Sequence, residues 1–277
     1  MAQSGFEWQD IGGMLPRPRK FVLVNCKDSP DLLRKIVSHT DFPSGAHVFT
    51  HELGLFGASW CSLGRHALRR REMRHARALP KTLSFFRGVA KEKNLKIWLG
   101  HSLLSEGRLW NAYSLVGEKG IIFTQRKKFL WRPERWLYAE PSGYEGNRRE
   151  YSVLICSEVS AFFDPMRWSR PTRIPEIRVK KPRLVVVPAY WVLNKDYLLS
   201  IARSIARPYC AKEYDGKRVE KGIHPEGSVV FVVNAKEALV VGPVPEKDCR
   251  KKTTVYADLK ESGWIEATED YLDVVRI

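Results

Sequence analysis

The chain has 277 residues, of which 44% are hydrophobic and 11% aromatic, and it carries 47 Lys and Arg against 31 Asp and Glu. This composition excludes a wholly disordered chain, because there are enough apolar side chains to build a core. The formal net charge of +16 favours anionic substrates or partners.

The sequence carries no membrane-span, secretory or metal-site pattern. Its longest apolar run, Leu184 to Leu193, contains Pro188 and is much shorter than the roughly 20 residues that cross a bilayer. The segment from Met1 to Gly13 lacks the apolar stretch of a secretory signal. The five cysteines are widely spaced without a CxxC pair, so we expect free thiols, no metal site and a cytoplasmic location.

Strands and helices alternate in the first half of the predicted chain. The predicted elements there are a strand over Phe21 to Cys26, a helix over Asp28 to His39, a strand over Gly45 to Leu53, a helix over Lys81 to Lys93 and a strand over Leu95 to Gly100. The later ones are a hairpin of Trp110 to Val116 with Gly120 to Thr124, strands over Tyr151 to Cys156 and Leu184 to Val187, a helix over Tyr197 to Arg207, a hairpin of Ser228 to Val233 with Ala238 to Gly242, and a strand over Thr253 to Leu259. The order predicts a mixed sheet with helices on its faces. We expect a basic N-terminal arm over residues 1–19 and a single domain over residues 20–277.

Basic residues concentrate between Ser62 and Lys81 and again between Arg167 and Arg183. In the first stretch, residues at intervals of four would share one helix face, and these are Arg65, Arg69, Met73 and Arg77. Two explanations stay open here: a solvated helix face and a nucleic-acid footprint. The second ranks lower, because no helix-turn-helix, zinc-finger or RNP-type motif accompanies the arginines.

Three reactive residues lie at the ends of predicted strands, where α/β sheets expose side chains to a crevice. They are Glu52, Lys127 and Cys156. Each has a plain structural explanation: a helix cap or loop salt bridge, a solvated charge run, and a small core residue. Together they form a coherent set, because a thiolate is a nucleophile, a carboxylate can accept its proton and an ammonium stabilises an oxyanion. A sharp turn after Cys156 would also aim the Ser157 backbone N–H at the group under attack.

From about Lys20 to Leu259 the order of segments resembles the nitrilase, or carbon-nitrogen hydrolase, superfamily. The similar stretches are Phe21 to Cys26, Gly45 to Gly54, Leu109 to Val116, Gln125 to Leu130, Leu154 to Glu158 and Val187 to Trp191. The chain departs from the family pattern at His51, where the family has proline, and at Phe129, where it has histidine.

The resemblance implies an α/β (α+β) fold, a four-layer α-β-β-α sandwich with mixed sheets. It also implies a triad of Glu52 as general base, Lys127 as oxyanion-stabilising cation and Cys156 as nucleophile. The Ser157 N–H and the Glu134 carboxylate would orient the oxyanion or the substrate, although a surface acid is an equal explanation for Glu134. The aromatic candidates for the pocket wall are Phe129, Trp131, Tyr190 and Trp191.

The function implied by the resemblance is hydrolysis of an amide, carbamoyl or nitrile substrate through a cysteine acyl-enzyme. It requires no metal or cofactor, and family members associate into homodimers or larger homo-oligomers. Two alternatives from other classes are a non-catalytic relative that binds an acidic partner and a module that binds nucleic acid.

Overall fold

The computed structural model describes residues 20–27, 29–55, 64–131, 134–146, 151–159, 181–190, 195–214, 217–235, 237–242, 255–259, 263–268 and 275–276. Within these residues the helices include α1 (Pro30–His39), α2 (Arg65–Glu92) and α3 (Lys195–Ala206). The strands are β1 (Lys20–Asn25), β2 (His47–Phe49), β3 (Lys96–Ser105), β4 (Arg108–Gly117), β5 (Gly120–Arg126), β6 (Tyr151–Val153), β7 (Leu184–Ala189), β8 (Cys210–Tyr214), β9 (Lys217–Lys221), β10 (Val229–Asn234), β11 (Ala238–Val241), β12 (Val255–Leu259), β13 (Gly263–Thr268) and β14 (Val275–Arg276).

The strands form two large mixed sheets and one separate hairpin. The first sheet has seven strands in the order β14-β13-β1-β2-β3-β4-β5, and the second has five in the order β12-β11-β10-β7-β6. Parallel pairs occupy the centre of the first sheet, between β1, β2 and β3, while the hairpin β3-β4-β5 is antiparallel. In the second sheet β6, β7 and β10 are parallel. Parallel strands of this kind need both faces covered.

The two large sheets pack face to face and helices cover their outer faces. Along β1, Phe21 and Leu23 join the core between the sheets, whereas Val22 and Val24 join the core under α1 and α2. This is the alternation that a strand with both faces buried requires. On the other side, α3 packs its apolar face against β7 and β10. The predicted four-layer α-β-β-α architecture is therefore confirmed.

Helix α2 is much longer than predicted. It runs unbroken over Arg65–Glu92 and contains Pro80, which had marked the expected start of the helix. A proline inside a helix removes one backbone hydrogen bond and typically costs about 3 kcal/mol. Here Leu68 and Leu79, which precede the proline, are buried, and so is Phe86, which follows it. Apolar packing on both sides of Pro80 therefore outweighs the local cost.

Two strands that lead to reactive residues are shorter than predicted. Strand β2 ends at Phe49, and β6 ends at Val153, so neither Glu52 nor Cys156 belongs to a strand. In both cases the chain leaves the sheet a few residues early and turns, which carries the side chain away from the regular pleat. The strands β8, β9, β13 and β14 were not predicted. Charged residues interrupt the apolar pattern of β8 and β9, and β14 is only two residues long.

The first helix and the two hairpins lie where the sequence predicts them. Helix α1 begins after Ser29, whose side-chain oxygen accepts a hydrogen bond from the backbone N–H of Leu32 at 3.3 Å. Both predicted hairpins form, as β4-β5 and β10-β11. The arm over residues 1–19 lies outside the described residues. Across the part of the chain that is described, we find no helix with the length and apolarity needed to span a membrane.

Candidate active site

Glu52 lies in a tight turn that follows β2, and its carboxylate is buried. The turn presses against β3: a Cβ atom on Gly100 would lie 2.4 Å from the backbone nitrogen of Leu53 and 2.5 Å from the carbonyl oxygen of His51. Leu53 itself adopts a φ of +56°, a left-handed conformation that lets the chain reverse sharply. A glycine on the neighbouring strand is therefore what allows the carboxylate to sit at the edge of the sheet.

Lys127 follows β5, and its ammonium group is completely buried between two carboxylates. Its Nζ donates to Glu52 Oε1 at 2.6 Å and to Glu134 Oε2 at 2.7 Å. Glu134 is held in place by the backbone N–H of Trp131, which donates to Oε2 at 2.6 Å. Glu134 is only 5% exposed, so it is not a surface acid.

Asn111, near the middle of β4, joins the same cluster, and sequence reasoning missed it. Its Nδ2 donates to Glu52 Oε1 at 2.7 Å and to Glu134 Oε1 at 2.8 Å. Lys127 also donates to these two oxygen atoms. One amide and one ammonium thus hold the two carboxylates together. A buried asparagine within an apolar strand was the available signal, because such a side chain needs polar partners.

Cys156 lies at a sharp turn beyond β6 with a φ of +48°. The turn is anchored by its backbone N–H, which donates to the carbonyl of Pro188 at 2.8 Å. The backbone N–H of Tyr190 donates to Glu52 Oε2 at 3.1 Å, and it lies near enough to the Cys156 thiol to lower the pKa of that thiol slightly. The sulfur and the carboxylate therefore lie on either side of the same backbone N–H group. The backbone N–H of Ser157, next in the chain, makes no hydrogen bond with any described residue.

Glu158 ties the turn around Cys156 to the end of β5, and it too was missed. Its buried carboxylate accepts from the backbone N–H groups of Ile155 at 2.7 Å and Lys128 at 2.6 Å, and from Gln125 Nε2 at 3.1 Å. Burial nevertheless raises the pKa of Glu158 to about 8. This side chain links the turn that carries the sulfur to the segment after β5 that carries the ammonium.

Known structures share this architecture at low sequence identity. An amidase from Nesterenkonia sp. matches with a TM-score of 0.59 and 16% identity, over 94% of this chain and 95% of that chain. A carbon-nitrogen hydrolase from Helicobacter pylori G27 matches with a TM-score of 0.60 and 11% identity, over 90% and 88% of the two chains. The Nesterenkonia AN1 amidase is described as a member of the nitrilase superfamily.

The chain has the nitrilase-superfamily fold. A glutamine-dependent NAD+ synthetase from Acinetobacter baumannii also matches, with a TM-score of 0.59 and 13% identity, over 91% of this chain and 46% of the longer protein. No protein-family model and no curated protein matches the sequence.

On this nitrilase-type scaffold the buried charges act strongly on one another. Burial raises the pKa of the Cys156 thiol well above its ordinary value, the Glu52 charge adds to this effect, and Lys127 opposes it. Burial alone would lower the pKa of Lys127, but the surrounding negative charges raise it well above its usual range. Burial and the Glu52 charge raise the pKa of Glu134. The resting site therefore holds a neutral thiol beside a permanent ammonium.

The predicted pocket-wall residues occupy different surroundings. Phe129 packs against the core under α3, and its carbonyl accepts a hydrogen bond from the Ser157 hydroxyl. Trp131 is 59% exposed, whereas Tyr190 packs against a cluster beside the site. Trp191 lies outside the described residues. Among the residues described, no group of three or more His, Cys, Asp or Glu is arranged to hold a metal ion.

Proposed function

We propose that the protein is a carbon-nitrogen hydrolase that acts on an amide, carbamoyl or nitrile substrate through a thioester or thioimidate on Cys156. The observation that carries the proposal is the buried Lys127 ammonium, held between Glu52 and Glu134 next to a cysteine at a positive-φ turn. Burying three ionisable groups is costly unless they are paired or used. Placing a thiol among them, on this fold, is what a covalent hydrolase needs.

The first half-reaction begins with the neutral thiol. Glu52 accepts the Cys156 proton while the sulfur attacks the carbonyl carbon of an amide, which gives a tetrahedral oxyanion. Lys127 and the Ser157 backbone N–H stabilise the negative oxygen. Glu52 then returns the proton to the departing nitrogen, the carbon-nitrogen bond breaks, and ammonia or an amine leaves behind a thioester.

The second half-reaction uses the same carboxylate on water. Glu52 takes a proton from a water molecule while the water oxygen attacks the thioester carbon. Lys127 and the Ser157 backbone N–H again stabilise the oxyanion. When the carbon-sulfur bond breaks, the proton passes to the sulfur and a carboxylic acid is released. Glu134 keeps Lys127 protonated and in position throughout, so we assign it an orienting role.

The test combines turnover with a covalent trap. Cys156→Ala should fold and lose all hydrolysis of every amide or nitrile that the parent protein cleaves, as measured by ammonia release. Cys26→Ala, which removes another buried thiol, is the matched control and should keep its activity. Undiminished turnover in Cys156→Ala would contradict the proposal.

Acrylamide provides a direct probe of the sulfur. In a variant of the Nesterenkonia AN1 amidase, acrylamide adds to the active-site cysteine by Michael addition. We expect the parent chain and Cys26→Ala to gain the mass of one acrylamide at Cys156, and Cys156→Ala to gain none there. Labelling only at other cysteines would count against a reactive Cys156.

The proposal extends to the cellular location and the oligomeric state of the protein. The described thiols of Cys26 and Cys156 are free, as a reducing compartment would keep them, and we propose a cytoplasmic enzyme. The homo-oligomer implied by the family resemblance stays a prediction. Light scattering of the purified chain measures it directly.

A further inference from the structure

Helix α2 carries a row of cations on the face turned away from the sheet. Arg70, Arg74, Arg77 and Lys81 follow one another at intervals of four, three and four residues, which places them on one helix face. All four side chains are exposed. The opposite face is buried in the fold and consists of Leu68, Glu72, Ala76, Leu79, Thr82, Phe86, Val89 and Ala90.

The charges of this row are not neutralised within the described chain. None of the four side chains forms an ion pair or a hydrogen bond with a described residue. Glu72, the carboxylate within this stretch of the helix, is turned into the fold, where it accepts hydrogen bonds from Ser102 at 2.5 Å and from Arg71 at 2.9 Å. Among the described residues, nothing therefore neutralises the positive charge of the row.

The row does not contribute to the stability of the helix. Like charges three and four residues apart repel one another on a helix surface. The helix dipole does not compensate for this repulsion, because it acts within the terminal turns and the four residues lie outside them. The first turn contains no acidic residue, and Gly64 at the N-cap offers no side-chain hydrogen bond. A bound anion would relieve the repulsion among these four charges.

We propose that this row binds the phosphate backbone of a nucleic acid. Three of the four cations are arginines, whose planar guanidinium groups pair with phosphate in a bidentate way. From Arg70 to Lys81 the helix rises about 16 Å. One strand of a duplex presents about five phosphates over that distance. The number and spacing of the charges therefore suit a polyphosphate chain.

The surface is poorly suited to other acidic partners. Stable protein–protein interfaces have an apolar core, and membrane-surface helices bury an apolar face in the lipid. Among the described residues of α2, Phe85 is the only exposed large hydrophobic side chain. Binding through phosphates alone needs no apolar core, because releasing counterions supplies the free energy.

The experiment measures binding of the full chain to three fluorescent polymers by anisotropy. They are a 24-base-pair DNA duplex, one of its single strands, and the RNA strand of the same sequence, each measured over a range of salt concentrations. The variant combines Arg70→Ala, Arg74→Ala and Arg77→Ala, which keeps a good helix former at each position. The matched control combines Lys35→Ala, Arg108→Ala and Lys119→Ala, which removes three exposed charges elsewhere.

We expect the parent to bind at least one of the polymers with an affinity that falls steeply with salt. Losing three phosphate contacts should reduce the log–log salt slope by about two to three and weaken binding roughly 100-fold at 0.1 M salt. The control should change binding less than about threefold, and circular dichroism should be the same for all three proteins. Equal losses in both variants, or no binding by the parent at 0.1 M salt, would overturn the proposal. So would binding to phosphatidylserine vesicles without binding to any of the three polymers.

Discussion

Removing the negative charge of Glu52 should make the Cys156 thiol more reactive towards alkylation, although it abolishes catalysis. Burial and the negative charge of Glu52 both raise the pKa of the thiol, and Lys127 opposes them. Replacing Glu52 with glutamine removes the charge but keeps an oxygen that can accept the Tyr190 N–H. The substitution should therefore lower the pKa of the thiol while it abolishes proton transfer and turnover.

The size of the effect follows from the geometry. Because the Tyr190 N–H that donates to Glu52 also acts on the Cys156 thiol, we take the two charges to lie roughly 6 Å apart. At an effective dielectric constant near 20 their repulsion is about 3 kcal/mol, which is about 2 pH units. Thiolate nucleophilicity falls with the pKa, so roughly half of the gain is lost. We expect Cys156 in Glu52→Gln to be alkylated about tenfold faster at pH 8.

The assay follows iodoacetamide modification of each cysteine by peptide mass spectrometry between pH 6 and pH 10. Glu145→Gln is the matched control, because it removes a carboxylate that pairs with Arg126 instead. It should leave the Cys156 profile unchanged, and Lys127→Met should move that profile to higher pH. An unchanged or slower reaction in Glu52→Gln would refute the electrostatic argument.

Three further predictions concern the supports of the site. Asn111→Leu removes two hydrogen bonds to carboxylates, so the acid limb of the pH profile of kcat/KM should move up by about one pH unit. The control Ser114→Ala, on the same strand, should not move the acid limb. Identical pH profiles for Asn111→Leu and the parent would exclude a positioning role for Asn111. Gly100→Ala places a Cβ 2.4 Å from the backbone of the Glu52 turn and should lower kcat roughly 100-fold. In the control, Gly88→Ala, the new Cβ has no atom within 4 Å, and the substitution should raise the free energy of unfolding by about 0.5–1 kcal/mol. An equal kcat in the two glycine variants would count against the role given to Gly100. Burial lowers the pKa of His47 from 6.5 to about 3, so its contribution to stability is present above pH 6.5 and is lost as the pH falls towards 3. From pH 7 to pH 4 the parent should therefore lose about 3 kcal/mol of unfolding free energy relative to His47→Phe, as measured by urea unfolding. A difference between the two proteins that does not change with pH would contradict this prediction.

Local patterns were enough to predict those elements whose information lies within a few residues. Helix α1 follows from apolar spacing after Ser29 and Pro30, and the β4-β5 hairpin follows from two apolar runs around Gly117 to Gly120. Periodicity and turn chemistry act over short distances, so this helix and this hairpin can be read without coordinates. The four-layer sandwich was implied instead by the resemblance of the ordered motifs to the nitrilase superfamily.

Long-range contacts account for what local patterns missed or misplaced. Packing on one sheet carries α2 through Pro80, against the local preference of the backbone. Lys127 meets Glu52 across 75 residues of chain, and Asn111 reaches the same carboxylate across 59. No interval in the sequence encodes such distances, because they depend on how separate strands pair and on where each strand ends. The chemical types of the reactive groups were therefore visible in the sequence, whereas their hydrogen bonds, burial and mutual electrostatics arise only when the sheets are assembled.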